Sequence, residues 1–216
     1  MCSDDQIRQE EFRRKQEQER IIPLAGILLS KLEVHMKGRV MDFKKAADAE
    51  CVELVEGPGG GELLHRVGYV YEQEARQALG GLGGFWAKVK AGGHTVSETM
   101  SIINAASKAQ AASERMEKER EQGKLGEVSQ AEREAYIAGQ TMVAIWKVGK
   151  MEIEGVIRQV CAKILNAPGL TKYQKTSRAN ALSMLGEIYM KEGRAAQNLE
   201  RQQWSQRTGK AWPPGA

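Results

Sequence analysis

Residues 79–94 read LGGLGGFWAKVKAGGH, six glycines in sixteen positions around the Phe85-Trp86 pair. A loop that cradles phosphate would make the protein an α/β nucleotide binder; a corner between helices would make it all-α. The dinucleotide fingerprint needs G-x-G-x-x-G between a strand and a helix. Gly81-Leu82-Gly83 begins that pattern, but the sixth position is Trp86. The residues before it, Glu62 to Leu79, have helical spacing, and Gly-Lys-Ser/Thr occurs nowhere in the chain. The corner fits better. Gly80 and Gly81 end one helix, because glycine accepts the left-handed conformation that closes a last turn. Gly83 and Gly84 turn the backbone into a short helix, Phe85 to Ala91, and Gly92-Gly93 closes it. Phe85, Trp86 and Val89 then fold back onto neighbouring helices, each ring burying on the order of 150–250 Å².

Working outward, the pattern stays helical. Prolines number five, and four Ser/Thr-x-x-Glu/Gln boxes stand at plausible helix starts: Ser3 to Gln6, Thr95 to Glu98, Ser129 to Glu132 and Thr171 to Gln174. In such a box the hydroxyl accepts from a free backbone N–H and the Glu or Gln reaches back. Residues 3–20 hold only Ile7 and Phe12 as large apolar side chains among charges that can pair three or four apart. They read as a charged helical arm.

Pro23 suits a helix start, with Leu24, Leu28, Leu32 and Met36 on one face until Gly38. A second stripe follows over 41–56: Phe43, Ala47, Cys51 and Leu54. A third runs from Glu62 to Leu79: Leu64, Val67, Tyr71, Ala75 and Ala78. The Thr95 helix extends to about Gln122, roughly 42 Å at about 1.5 Å per residue; its second half, Glu114 to Gln122, is nearly all charge and is expected to project into water. Ile153, Val156, Ile157, Val160, Cys161, Ile164 and Leu165 form an i, i+3, i+4 ladder that marks a central core helix. Asn166-Ala167-Pro168-Gly169 stops it. The last helix shows Ala179, Leu182, Leu185 and Tyr189 on one face, and Lys210 to Ala216 is expected to lack order. The fold expected is an all-α helical bundle with a long charged projecting helix and a charged N-terminal helical arm. Its parts are an arm at 1–22, a helical domain at 23–193 and a polar basic tail at 194–216.

Composition sets the class. At 216 residues, with 41% hydrophobic and 28% charged residues, the chain is expected to be one domain of ordinary size or one domain with arms. Ile21 to Leu29 is its greasiest run, too short to span a bilayer. That run follows charges and not the short basic start of a signal peptide, so no secretory leader is expected. Cys2, Cys51 and Cys161 are odd in number and far apart, which fits a reducing compartment and no metal or redox pair. From Lys163 onward nine Lys/Arg face three Asp/Glu, a balance of +6 against +4 for the whole chain, leaving −2 for residues 1–162. A basic end of that size could touch nucleic acid or an anionic membrane; a solvated helix face is the plainer reading.

Several blocks are familiar in their order. GELLHRVGYVY (61–71), LGGFW (82–86), KAGGH (90–94) and TMSIINAA (99–106) resemble the X-domain of DnaJ-type proteins. The likeness continues through AIWK (144–147), EIEGVIRQVC (152–161) and RANALSMLGEIY (178–189), and Gln9 to Arg20 is similar to the family's charged helix before the domain. It covers about residues 8–193. In that family a helical C-terminal region follows a J-domain and a linker. The J-domain is missing here. Its His-Pro-Asp signature, which engages the DnaK-class chaperone, is absent because His35, His65 and His94 are followed by Met36, Arg66 and Thr95. The chain is then a fragment of a longer J-protein or a form that has lost the stimulatory part. The resemblance implies a co-chaperone's client- or partner-handling region.

The residues offer no converging acid, base or nucleophile. His65, on an amphipathic helix, is read as a half-buried histidine bonded to a carbonyl, and His94 as a helix-entry residue. Cys161 falls on the core ladder as a small apolar residue. Glu152 and Glu154 flank Ile153 on differing faces. No enzyme, cofactor or metal site is expected. Candidate partner-binding residues are Trp204 and Trp212, which sit in the polar end, and Trp86 and Trp146, for which core packing competes. Met100, Met142 and Met184 could line an adaptable groove or fill gaps.

The expected partners are protein clients or a partner protein, with a DnaK-class chaperone only if a J-domain is supplied elsewhere. Nucleic acid is disfavoured and a membrane contact would be peripheral at most, since the Pro23 helix has too little cationic face. The expected compartment is the cytoplasm, with organelle association left open. The competing reading is a structural or scaffold subunit that contacts protein, RNA or membrane through its charged helices and basic tail.

Overall fold

Helix ends in this chain are written by glycine, and the computed structural model shows where. It describes residues 2–57, 59–80, 114, 118 and 127–209. Every regular element among them is an α-helix: α1 Cys2–Met36, α2 Val40–Leu54, α3 Gly60–Leu79, α4 Glu127–Leu165 and α5 Lys172–Thr208. Gly38, Gly59, Gly80, Gly169 and Gly209 have φ between +64° and +79° and stand at the helix ends or in the turns between helices. Gly80 closes α3 with its N–H donated to the Gln77 carbonyl, as read from the corner sequence. The rest of that corner, residues 81–94, lies outside the described residues. So does the Thr95–Gln122 helix, apart from Glu114 and Lys118, both helical and exposed.

The chain divides into two units, residues 1–87 with 154–212 and residues 88–153 with 213–216. The first holds α1, α2, α3, α5 and the last three turns of α4. Its core joins Ile21, Leu28 and Leu32 of α1, Phe43, Ala47 and Cys51 of α2, Leu64, Tyr71 and Ala75 of α3, Val160, Cys161, Ile164 and Leu165 of α4, and Ala179, Leu182, Leu185 and Tyr189 of α5. Burying each of the larger side chains is worth about 1.5–3 kcal/mol. The stripes of α2, α3 and α5 are therefore those expected, except that Leu54 is exposed.

Three expectations need correction. α1 does not start at Pro23; the helix runs straight through it. A proline inside a helix costs about 3 kcal/mol. Continuing the helix places Ile21 in register with Ala25, Leu28 and Leu32, and Ile21 is only 2% exposed; that burial is of comparable size. The inward face is consequently rotated from the one expected, and Leu24 is 41% exposed. In α4, Ile153 is exposed, and of the ladder only Val160, Cys161, Ile164 and Leu165 are fully buried, with Val156 and Ile157 packed at the margin. Finally, α5 does not give way to a polar tail at residue 194 but stays helical through Thr208.

Of the four capping boxes, Thr171 forms one in full: its hydroxyl accepts from the Gln174 N–H at 3.2 Å and its N–H donates to Gln174 Oε1 at 2.9 Å. Ser3 and Ser129 lie inside α1 and α4, and Thr95 lies outside the described residues. Arg178 closes the α4–α5 turn by donating to the Ile164 carbonyl at 2.6 Å.

The principal contact is between α3 and α5, and it is made by backbone. Gly61 and Gly68 on α3 and Gly186 and Gly193 on α5 repeat at seven-residue spacing. A Cβ on Gly68 would lie 2.7 Å from the Gly186 carbonyl, and one on Gly193 would lie 2.7 Å from the Gly61 carbonyl. The helices run antiparallel with no room for side chains at those levels. Ala75 and Ala179, both wholly buried, extend the two rows by another seven residues.

Candidate partner-binding site

The other side of α5 is built differently. Leu185, next to Gly186 in sequence, faces α1 and α2 across a cavity of about 310 Å³. Helical spacing brings Ser30, Lys31 and Val34 of α1 to one wall and Phe43, Ala46, Ala47 and Glu50 of α2 to the other. Phe43, Ala47 and Leu185 are core residues, each less than 5% exposed, so the opening reaches the core itself. At its polar edge Lys31 pairs with Glu50, and Tyr189 donates its hydroxyl to the second Glu50 oxygen at 2.8 Å. Behind this lie the Tyr71 and Tyr189 rings, 5.8 Å apart.

Burial acts on two tyrosines and two cysteines of the core. It raises the Tyr189 phenol well above its ordinary value, helped by the hydrogen bond to Glu50. Burial likewise raises Tyr71 and Cys161. Cys51 is pushed up to about 12, first by burial and then by Glu192, Asp48 and Glu50. Both buried thiols are thus poor nucleophiles, since the thiolate is the reactive form.

A second opening, about 510 Å³, lies between the turn after α2 and the far end of α5, with Val55, Leu199 and Trp204 among its walls. Trp204 is therefore part of a helix, half-buried, with the Arg207 guanidinium 5.8 Å from its ring. In the second unit, Trp146 of α4 is 37% exposed, with Lys150 Nζ 5.8 Å from its ring. Met142, Ile145 and Val148 beside it are also exposed. Trp86 and Trp212 lie outside the described residues, so the four tryptophans are not brought together by anything described. Met184 packs on the core, whereas Met100 lies outside the described residues.

His65 Nδ1 sits 3.1 Å from the Met190 carbonyl, the arrangement read from its place on α3. The ring of His35 packs edge-on to Phe43 at 5.4 Å; His94 lies outside the described residues. Glu154 turns toward α3 to pair with Arg66 and with Arg158, which also reaches Glu74 at 3.0 Å, while Glu152 is exposed. Of these pairs only Glu154–Arg158 lies at i, i+4 spacing within one helix. The ties to α3, and the Lys31–Glu50–Tyr189 set, join residues from separate helices and had no local signal. Among the described residues no group of three or more His, Cys, Asp or Glu could hold a metal ion, and no helix is long and apolar enough to cross a membrane.

The family model for the X-domain of DnaJ-containing proteins matches residues 17–208, nearly the whole chain. The chain belongs to the DnaJ-X family. An uncharacterised J domain-containing protein of Schizosaccharomyces pombe is 34% identical over 187 residues, 81% of this chain and 52% of the relative. DnaJ-like protein 1 of Saccharomyces cerevisiae is 28% identical over 222 residues, 90% of this chain and 51% of the relative. The chain thus spans about half the length of these curated relatives. No solved structure matches it. The DnaJ-X match runs from the turn before Ile21 to the end of α5, so it takes in both openings and the glycine seam.

Proposed function

We propose that this DnaJ-X chain is the client- or partner-holding part of a J-protein co-chaperone of the cytoplasm. It acts by covering exposed apolar segments of other proteins against its helical surface, with no catalysis of its own. The observation that carries this reading is an apolar opening that reaches core residues in a chain of J-protein family, edged by one ion pair. Burying apolar area is the force available to such a surface, at about 25 cal/mol per Å². The chain by itself is expected to suppress aggregation of a heat-unfolded substrate protein while leaving the ATP hydrolysis of a DnaK-class chaperone unstimulated. Measured stimulation, or aggregation that proceeds unchanged, would overturn the reading.

The exposed row of Met142, Ile145 and Trp146 on α4 favours a second reading, a scaffold subunit docked into a larger assembly. Salt separates a nucleic-acid version of it from apolar capture. Affinity for RNA falls steeply with added salt through counterion release, whereas capture of apolar segments persists.

A further inference from the structure

Good cores have few voids larger than a water molecule, yet here Phe43, Ala47 and Leu185 wall an open cavity of about 310 Å³. Against its hydrocarbon walls, away from the Lys31–Glu50 edge, water gains little. A held water needs two to four polar partners. The polar groups present are the Ser30 hydroxyl, already donating to the Gly26 carbonyl, and the Lys31–Glu50 pair. The remaining walls are hydrocarbon from Val34, Phe43, Ala46, Ala47 and Leu185. An apolar group that displaced the water would gain the full benefit of burial.

We infer that the α1–α2 cavity receives one large apolar side chain of a client peptide, with the adjoining peptide group set against Lys31 and Glu50. The assignment rests on the client-holding reading and names its site. Size is the first argument. A volume of about 310 Å³ stands at the low end of ligand pockets, which run from about 300 to 1,000 Å³, and suits a single Phe, Leu or Met better than a cofactor. Charge is the second. Lys31 and Glu50 neutralise one another, and their side chains are 36% and 29% exposed. A charged head group would be attracted by one and repelled by the other. A peptide group is neutral and offers a carbonyl to Lys31 and an N–H to Glu50. Glu50 is also held in place by the Tyr189 hydroxyl, so the acceptor is fixed before the client arrives.

The test uses N-acetyl-phenylalanine amide and N-acetyl-leucine amide, with N-acetyl-lysine amide as control, followed by backbone amide shifts in the whole chain. The two apolar probes are expected to shift Val34, Phe43, Ala46 and Ala47 saturably, and the lysine probe is not. Ala46 is exposed on α2, so Ala46→Leu can fill the cavity from the surface, with Ala46→Met as the second variant. Either is expected to weaken the apolar probes by about 10- to 100-fold, the affinity equivalent of one buried side chain, without lowering the melting temperature. Absence of shifts at the cavity, equal binding by both filled variants, or stronger binding there of octyl glucoside than of the amides would overturn the assignment; the last would make it a site for an alkyl chain. Aggregation assays keep the two readings apart. Suppression by the native chain with no probe shifts sinks the site alone, and loss of suppression in the native chain sinks the co-chaperone reading, leaving the shifts to decide the site.

Discussion

Leu185 and Gly186 are neighbours on α5, and they stand on seams built on opposite terms. On the Gly186 side α5 meets α3 backbone to backbone, with no side chain between them at the glycine levels. On the Leu185 side it meets α1 and α2 across a cavity with an ion pair at its edge. A contact made of backbone cannot relax by rotating a side chain, so it holds one geometry. A contact made of a few apolar side chains around a void can accept another group. One helix thus supplies both a fixed frame and an adaptable face.

Gly186→Ala breaks the frame. Its Cβ would lie 2.7 Å from the Gly68 carbonyl and 2.9 Å from the Glu72 nitrogen, both backbone atoms. The expected loss is at the upper end of the about 1–3 kcal/mol typical of overpacking, read as a lower urea midpoint. A midpoint equal to the native one would mean the two helices do not approach so closely.

Tyr189→Phe tests the adaptable side more gently. It removes the hydroxyl donated to Glu50 and is expected to cost about 1.5–3 kcal/mol, a typical figure for a hydrogen bond to a charged group. Alkali attacks the same corner. The folded-state values of Cys51 and Tyr189 are raised, so the folded state favours their protonated forms. That stability is complete below the ordinary Cys51 value of 9.0 and is lost as pH rises toward about 12. Urea midpoints measured across that range should fall, and Cys51→Ala should fall less. A flat profile would contradict the burial of these groups.

Gly155→Ala has the smallest expected effect and the opposite sign. Among the described residues nothing lies within 4 Å of a Cβ placed there, inside α4. Alanine should stabilise the helix by about 0.5–1 kcal/mol, seen as a higher melting temperature. Paired with Gly186→Ala, it shows that the cost at the seam belongs to the contact and not to glycine as such.

Much of this was legible in the residues. The stripes on α2, α3 and α5, the Gly80 stop and the Thr171 cap all follow from local spacing, because each depends on partners within a few residues or on one face of one helix. For His65 the spacing gave its place on a half-buried face, while the carbonyl it meets, that of Met190, belongs to another helix. The seam was not. Gly61, Gly68, Gly186 and Gly193 lie far apart in two pairs, and their meaning emerges only when α3 and α5 lie side by side. The continuity of α1 has no local signal, because proline chemistry argues for a break at Pro23 and only the burial of Ile21 by other helices outweighs it. The polar residues around Trp204 read as a tail, but α5 outlasts its own apolar stripe. The cavity left no signal, since a void is a property of three helices and of none alone.

Hydrogen exchange, with and without a peptide carrying a single phenylalanine, compares the two seams in one measurement. Amides of α3 and α5 around Gly68, Gly186 and Gly193 are expected to exchange most slowly and to be unchanged by peptide. Those around Val34 and from Phe43 to Glu50 are expected to exchange faster and to slow when peptide is added. Seam amides that exchange as fast as the cavity amides, or protection that rises at the seam and not at the cavity, would contradict a fixed frame carrying an adaptable face.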